Sequence, residues 1–229
     1  MEKHQFKTST NLLIMTIINI ILYCVLLTSS ISATQYEYTE ILGKSAQKTA
    51  HWSINTHQDL TIISGNMLTD HIYIETKDNN ILNWKTTNHI SNTIISAQRI
   101  TTNIHVKTLQ NNELSTTIID AGNYRWLQTP AFLLQFFIKS NDTQLQFMML
   151  KMPSLSPMLM EIKKVKQETI TINNKTYNAI KTEMYPASFL RYFFKVPLWF
   201  NQETGDLLKY VNPGNKKFQI LFANKTENN

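Results

Sequence analysis

The sequence predicts a mainly β chain: an antiparallel meander forming an open or half-closed barrel, with one short apolar helix against its concave face. Three observations predict it. Runs of five to ten residues rich in Ile, Thr, Tyr, Phe and Val follow one another, as β-branched and aromatic side chains suit a pleated surface. Asn-rich turns join them, including Asp78-Asn79-Asn80, Gln110-Asn111-Asn112 and Asn173-Asn174-Lys175, and connections this short join antiparallel neighbours. A single segment, Ala131 to Lys139, breaks the rhythm.

The first element is not part of the domain. Lys3 and Lys7 precede an uncharged apolar run from Leu12 to Leu27, and small polar residues follow at Thr28, Ser29, Ser30, Ser32 and Ala33. This is the layout of a secretory signal over residues 1–33, leaving a single β-rich domain over 34–229. An uncleaved anchor is the competing reading, although the run is shorter than a spanning helix prefers and contains Asn19. Cys24, the one cysteine, lies inside this segment, so the exported chain can form no disulfide and offers no thiol. A cysteine-free exported domain of this size fits a bacterial periplasm, with secretion or membrane anchoring as alternatives.

Strands are expected at Tyr36–Ile41, Thr49–Asn55, Leu60–Ser64, Ile72–Lys77 and Ile81–Thr86. Ile94 to Leu109 alternates most clearly, with Ile94, Ile100, Ile104 and Val106 on one face and Arg99, Thr101, Asn103, His105 and Lys107 on the other. Further strands are expected at Glu113–Asp120, Gln144–Lys151, Met158–Gln167, Glu168–Ile172 and Thr176–Tyr185. Phe189–Phe200, Asp206–Val211 and Lys216–Ala223 complete the set. With five glycines in the chain, Asn and Asp are expected to supply the left-handed turn positions. Between the strands, Thr129 can cap a helix and Pro130 suits its first turn. Ala131 to Lys139 (AFLLQFFIK) then has almost no polar face, which predicts a buried helix acting as a plug or lid.

The chain is basic, with 22 Lys and Arg against 16 Asp and Glu, but the charges are scattered. No Arg-rich stripe or base-stacking array appears, which argues against nucleic acid as a partner. Lys163, Lys164 and Lys166 form the densest cluster. On a strand Lys164 and Lys166 would share a face, as on a solvated edge. No G-x-S-x-G, glycine-rich oxyanion loop or phosphate cradle is present, and no carboxylate pair is singled out. The histidines form no metal-binding spacing. The sequence therefore nominates no catalytic residue, no metal ligand and no cofactor.

What remains is apolar surface. The candidates for a ligand pocket are Phe132, Leu133, Phe136 and Phe137 from the predicted helix, and Phe147, Met149 and Met160 from the methionine-rich strands. Tyr192, Phe194 and Trp199 join them from the aromatic stretch FLRYFFKVPLWF. For all of them, ordinary core packing is the competing reading.

The C-terminal part also carries a resemblance. The segment ETITINNKTYNAIKTEM reads as strand, turn and strand, and LWFNQETGDLLKYVNPGNKKFQILFA continues as hairpins. This resembles the C-terminal half of uncharacterised bacterial envelope proteins with unclosed, half-barrel antiparallel sheets, similar in architecture to periplasmic lipoprotein-localisation carriers. Many of those have Gly-Lys where this chain has Asn174-Lys175. The resemblance covers about the last 100 residues and implies a fold, not site residues. The expected function is a non-enzymatic envelope protein holding a lipid or other amphipathic ligand in the hollow of its sheet. A structural or protein-interaction module of the envelope is the alternative, and a hydrolase a more distant one.

Overall fold

The computed structural model describes residues 32–43, 46–212 and 218–228. The predicted leader up to residue 31, Lys216 and Lys217 lie outside the described residues. The described chain forms one antiparallel sheet of 14 strands that does not close. The first eight form a continuous meander: β1 Ser32–Leu42, β2 Ala46–His57, β3 Leu60–Met67, β4 Asp70–Lys77, β5 Asn80–Asn88, β6 Thr93–Ile100, β7 Asn103–Gln110 and β8 Glu113–Asp120. A second meander comprises β9 Gln144–Lys151, β10 Ser156–Ile172, β11 Lys175–Pro186, β12 Val196–Asn201, β13 Leu207–Val211 and β14 Phe218–Asn228. The two are joined by β1 and β14, paired from Ala33↔Asn228 to Leu42↔Phe218. The edges of the sheet are therefore β8 and β9, which are consecutive in the chain.

The segment between them fills the hollow. It runs through a parallel bridge at Trp126↔Met148, a 3-10 turn at Pro130–Phe132 and the helix α1, Gln135–Lys139. The Leu127 N–H donates to the Met148 carbonyl at 3.0 Å and the Met148 N–H to the Arg125 carbonyl at 2.8 Å, which covers the edge of β9. Trp126, Leu127, Leu134, Phe137 and Ile138 are buried against the inner side chains of the sheet, among them Ile74, Ile81, Ile104, Phe147, Ile162 and Phe200. Among the described residues no helix is long and apolar enough to cross a membrane.

The turns carry the expected chemistry. Asp78-Asn79, Asn111-Asn112 and Asn173-Asn174 all adopt positive φ, the conformation two-residue hairpin turns require.

Four local expectations are corrected. The alternation from Ile94 to Leu109 is two strands, not one, because Thr101 turns the chain at φ +55°. Ile95 and Ala97 take the buried face of β6, while Ile100 is exposed. The run Met158 to Ile172 is a single strand with a bulge between Lys164 and Lys166. The bulge reverses its faces, so Lys164 points inward and Lys166 outward rather than sharing a side. Beyond it, Ile172 joins Ala179 and Leu208 in a smaller apolar cluster on the outer face. The apolar segment is a 3-10 turn and a five-residue helix rather than one helix. Thr129 is at φ +55° and does not cap α1, whose N-cap position is Leu134.

The fourth correction concerns Phe189–Phe200. Only Val196–Asn201 is strand. Phe189–Tyr192 is a 3-10 turn started by Ser188, whose hydroxyl accepts from the Leu190 N–H at 3.3 Å. Hydroxyl capping competes locally with strand formation, and here it wins.

Candidate functional site

The site is a cavity at one end of the sheet, and its depth is set by how the plug is held. Gln128, buried, clamps the segment to β9. Its amide donates to the Leu150 carbonyl at 3.1 Å and accepts the Leu150 N–H at 3.0 Å, as a neighbouring strand would. Phe132 then seats on the sheet. Its ring stacks on Trp52 at 4.1 Å between centroids and meets Tyr38 edge-on at 5.5 Å. Trp52 can lie flat because Gly65 is opposite it on β3 and has no side chain to displace it.

Further along, α1 is fixed at both ends. Gln135 donates to the buried carboxylate of Asp206 at 2.8 Å. Asp206 also accepts from Tyr36 Oη at 2.9 Å, Thr204 Oγ1 at 2.7 Å and Lys225 Nζ at 3.3 Å. At the other end Lys164 Nζ donates to the Ser140 carbonyl at 2.6 Å and lies over the Phe137 ring. Burial pushes the Lys164 amine below its ordinary pKa, the cost of using a cation as a helix-end latch.

With the plug held there, an apolar cavity of about 420 Å³ remains between Phe132 and the sheet. That is the scale of a small-molecule pocket. Trp52, Met67, Met149, Met184, Leu198 and Ile220 are among its walls. The polar groups of the wall include Glu40 and Gln128. Glu40 is 3% exposed, and both its oxygens receive the Leu68 N–H, at 3.0 and 3.1 Å. Leu68 is held at φ +54°, a strained backbone for a branched side chain. Lys48 Nζ secures the same turn by donating to the Leu68 carbonyl at 2.6 Å.

Burial raises the Glu40 pKa, opposed by the Leu68 N–H and by Lys48. A carboxylate raised in the folded state favours folding most below its unfolded pKa of about 4.3, and that contribution is lost as pH rises through the folded value. Glu40→Gln, which keeps an acceptor for Leu68, is therefore expected to be more stable than the parent at pH 7. The gap should close as pH falls to 4, measured by urea denaturation across that range. A gap that widens on acidification would contradict the assignment.

Of the ten residues nominated from sequence, Phe132 and Met149 line this cavity. Leu133, Phe137, Phe147 and Met160 are buried in the core. Phe136 is half-buried, with the Arg125 guanidinium 4.5 Å above its ring. Tyr192 and Phe194 are exposed. Trp199 is on the outer face, donating to Glu168 at 2.7 Å between the amines of Lys181 and Lys209. Glu40, Trp52, Leu68 and Gln128 were missed. For Glu40 the signal was present, since Tyr36, Tyr38 and Glu40 share one face of β1 by simple alternation.

No protein-family model matches the sequence, and no curated protein matches it. Among solved structures, the chain is similar to a β-barrel-like protein of the domain of unknown function DUF1849 from Brucella abortus. The alignment covers 86% of this chain and 98% of that one, with a TM-score of 0.56 and 7% identity. The two share a fold. A putative outer membrane lipoprotein-sorting protein domain from Vibrio parahaemolyticus aligns over 85% of each chain at 8% identity, with a TM-score of 0.27. The open antiparallel sheet expected for the whole domain runs through both meanders. Among the described residues, no group of three or more His, Cys, Asp or Glu comes together.

Proposed function

We propose that this chain is an exported, non-enzymatic envelope protein that holds an apolar or amphipathic molecule, such as a lipid, in the cavity under Phe132. The observation that carries the reading is the cavity itself: about 420 Å³ of open, mainly apolar space at one end of the sheet, beneath the plug. The cavity opens to solvent, so its apolar walls are left facing water, a loss relative to burial. Retaining it makes sense when another molecule covers those walls. Glu40, Gln128 and the flexible Met67, Met149 and Met184 suit a ligand with an apolar body and a polar end. The export pattern at the N-terminus and the cysteine-free sequence that follows it support a role in a bacterial periplasm.

The test combines extraction with a filled cavity. Organic extraction and native mass spectrometry of mildly purified protein should recover a bound amphipathic species. An apolar dye such as N-phenylnaphthylamine should bind and compete with it. Ile220→Trp projects an indole into the cavity and is expected to weaken dye binding at least about tenfold, the scale of one apolar group's transfer energy. Dye binding that is undiminished in this variant, with no extractable ligand, would sink the proposal.

A further inference from the structure

The two ends of the sheet differ in a way the carrier reading does not require. Strand pairing places the turns at 58–59, 78–79, 101–102, 173–174 and 202–205 at one end. These turns consist of Gln, Asp, Asn, Thr, Glu and Gly; the exposed apolar side chains nearby, Ile100, Ile118 and Tyr124, lie outside the turns on or after β6 and β8 and form no aromatic cluster. At the other end, around the cavity mouth, several turns present a large apolar side chain to solvent. Leu42 is at the end of β1, Leu68 is between β3 and β4, and Ile90 and Met152 are in the next turns along. The largest contribution comes from the turn between β11 and β12. Phe189, Tyr192, Phe193 and Phe194 are 73%, 72%, 74% and 52% exposed.

This aromatic turn has a defined conformation. The Arg191 N–H donates to the Ser188 carbonyl at 3.1 Å, and the Phe193 and Phe194 N–H groups both donate to the Leu190 carbonyl at 3.0 Å. The rings are thus held outward by backbone geometry. Arg191 and Lys195 stand among them, Lys195 3.2 Å from Glu183, and Lys151 is exposed at the end of β9. Aromatic rings interleaved with Arg and Lys suit the boundary between headgroups and acyl chains. Apolar tips spread over separate turns around an opening match a deformable plane better than a pocketed protein partner, which would engage a contiguous patch. We propose that this rim, centred on Phe189, Tyr192, Phe193 and Phe194 with Arg191 and Lys195, seats on a lipid bilayer bearing anionic headgroups. The surface stands on its own exposure and charge, independently of what fills the cavity.

The test must separate the rim from the apolar N-terminal segment, which could tether the full chain by itself. In the full chain with Cys24→Ser, a polarity-sensitive fluorophore is attached either at Phe193→Cys or, at the far end, at Asn174→Cys. Vesicles of phosphatidylglycerol and phosphatidylethanolamine containing spin-labelled lipid are then added. The expected result is a blue shift and at least about threefold stronger quenching at position 193 than at 174. The response should be weaker on phosphatidylcholine vesicles, and unchanged in the Ile220→Trp background. Tyr192→Cys serves as a second label site. Ser32, where β1 begins, is paired with Thr56 at the same end as position 174. Quenching that is equal at the two ends or stronger at 174 would therefore mean that the N-terminal segment and not the rim binds, and no quenching at either would point to a protein partner. Each overturns the proposal. An equal response on phosphatidylcholine overturns its anionic component.

Discussion

Replacing Gly65 with alanine is expected to cost about 1–3 kcal/mol of stability, the scale of a forced overpacking in a well-packed core. A Cβ at this position would land on the Trp52 ring and 2.6 Å from the His51 carbonyl oxygen. Gly65 does not have the positive φ that would explain a glycine by backbone freedom. On strand entropy alone, Gly→Ala should stabilise by about 0.5–1 kcal/mol, so the sign of the result discriminates between the two arguments. Trp52 is 2% exposed and stacked on Phe132, so its displacement should also shift the plug. Urea denaturation gives the stability and dye binding the effect on the cavity. Trp52→Phe in the same chain should recover part of the loss, because the smaller ring vacates the contested space. A Gly65→Ala protein as stable as its parent would show that the niche is not needed.

Asp206→Ala is expected to cost about 3 kcal/mol, at the lower end of the range for breaking a buried charged network. Tyr36, Gln135, Thr204 and Lys225 would all lose an acceptor. Lys225 retains Glu227 at 2.8 Å, which moderates the loss. Burial lowers the Lys225 pKa, but the pairings with Glu227 and Asp206 more than offset this, and the amine stays charged. Asp206→Asn keeps an acceptor and should lose less, while Gln135→Ala, removing one bond, should cost about 1 kcal/mol. Hydrogen exchange in α1 should accelerate in Asp206→Ala and Gln135→Ala alike. The Tyr36 hydroxyl is pushed up to about 12 by burial first and then by Asp206. Its contribution is complete below about pH 10 and is lost as pH rises through about 12. Stability of Asp206→Ala should therefore depend less on pH in that alkaline window.

The meander was legible because its turns and strands carry independent, agreeing signals: Asn-Asn and Asp-Asn pairs at positive φ between alternating β-branched runs. Errors arose where a single residue overrides a pattern. Thr101 breaks a continuous alternation, the bulge near Val165 exchanges the faces of β10, and Ser188 converts an apparent strand into a turn. Periodicity sees the apolar content of each run but not the local hydrogen bond that redirects it. The site was harder still. Phe132 and Met149 could be nominated for apolarity, but which apolar residues are left uncovered depends on where the plug stops. That is decided by Gly65, Gln128 and Asp206, three residues distant in sequence and individually unremarked.

The pairing of β1 with β14 has a kinetic consequence. Every other neighbouring pair in the sheet is a hairpin that can form from adjacent sequence, whereas Ala33 must wait for Asn228. The first strand made is therefore the one whose second partner arrives last, and until then β1 has an unpaired edge. Loop closure over nearly the whole chain is the slow step in such a topology. Two separately nucleated meanders should form early, with their seam zipping in the rate-limiting event. Substitutions along β1 and β14 should consequently slow refolding, while equally destabilising changes in β4 or β5 should mainly hasten unfolding.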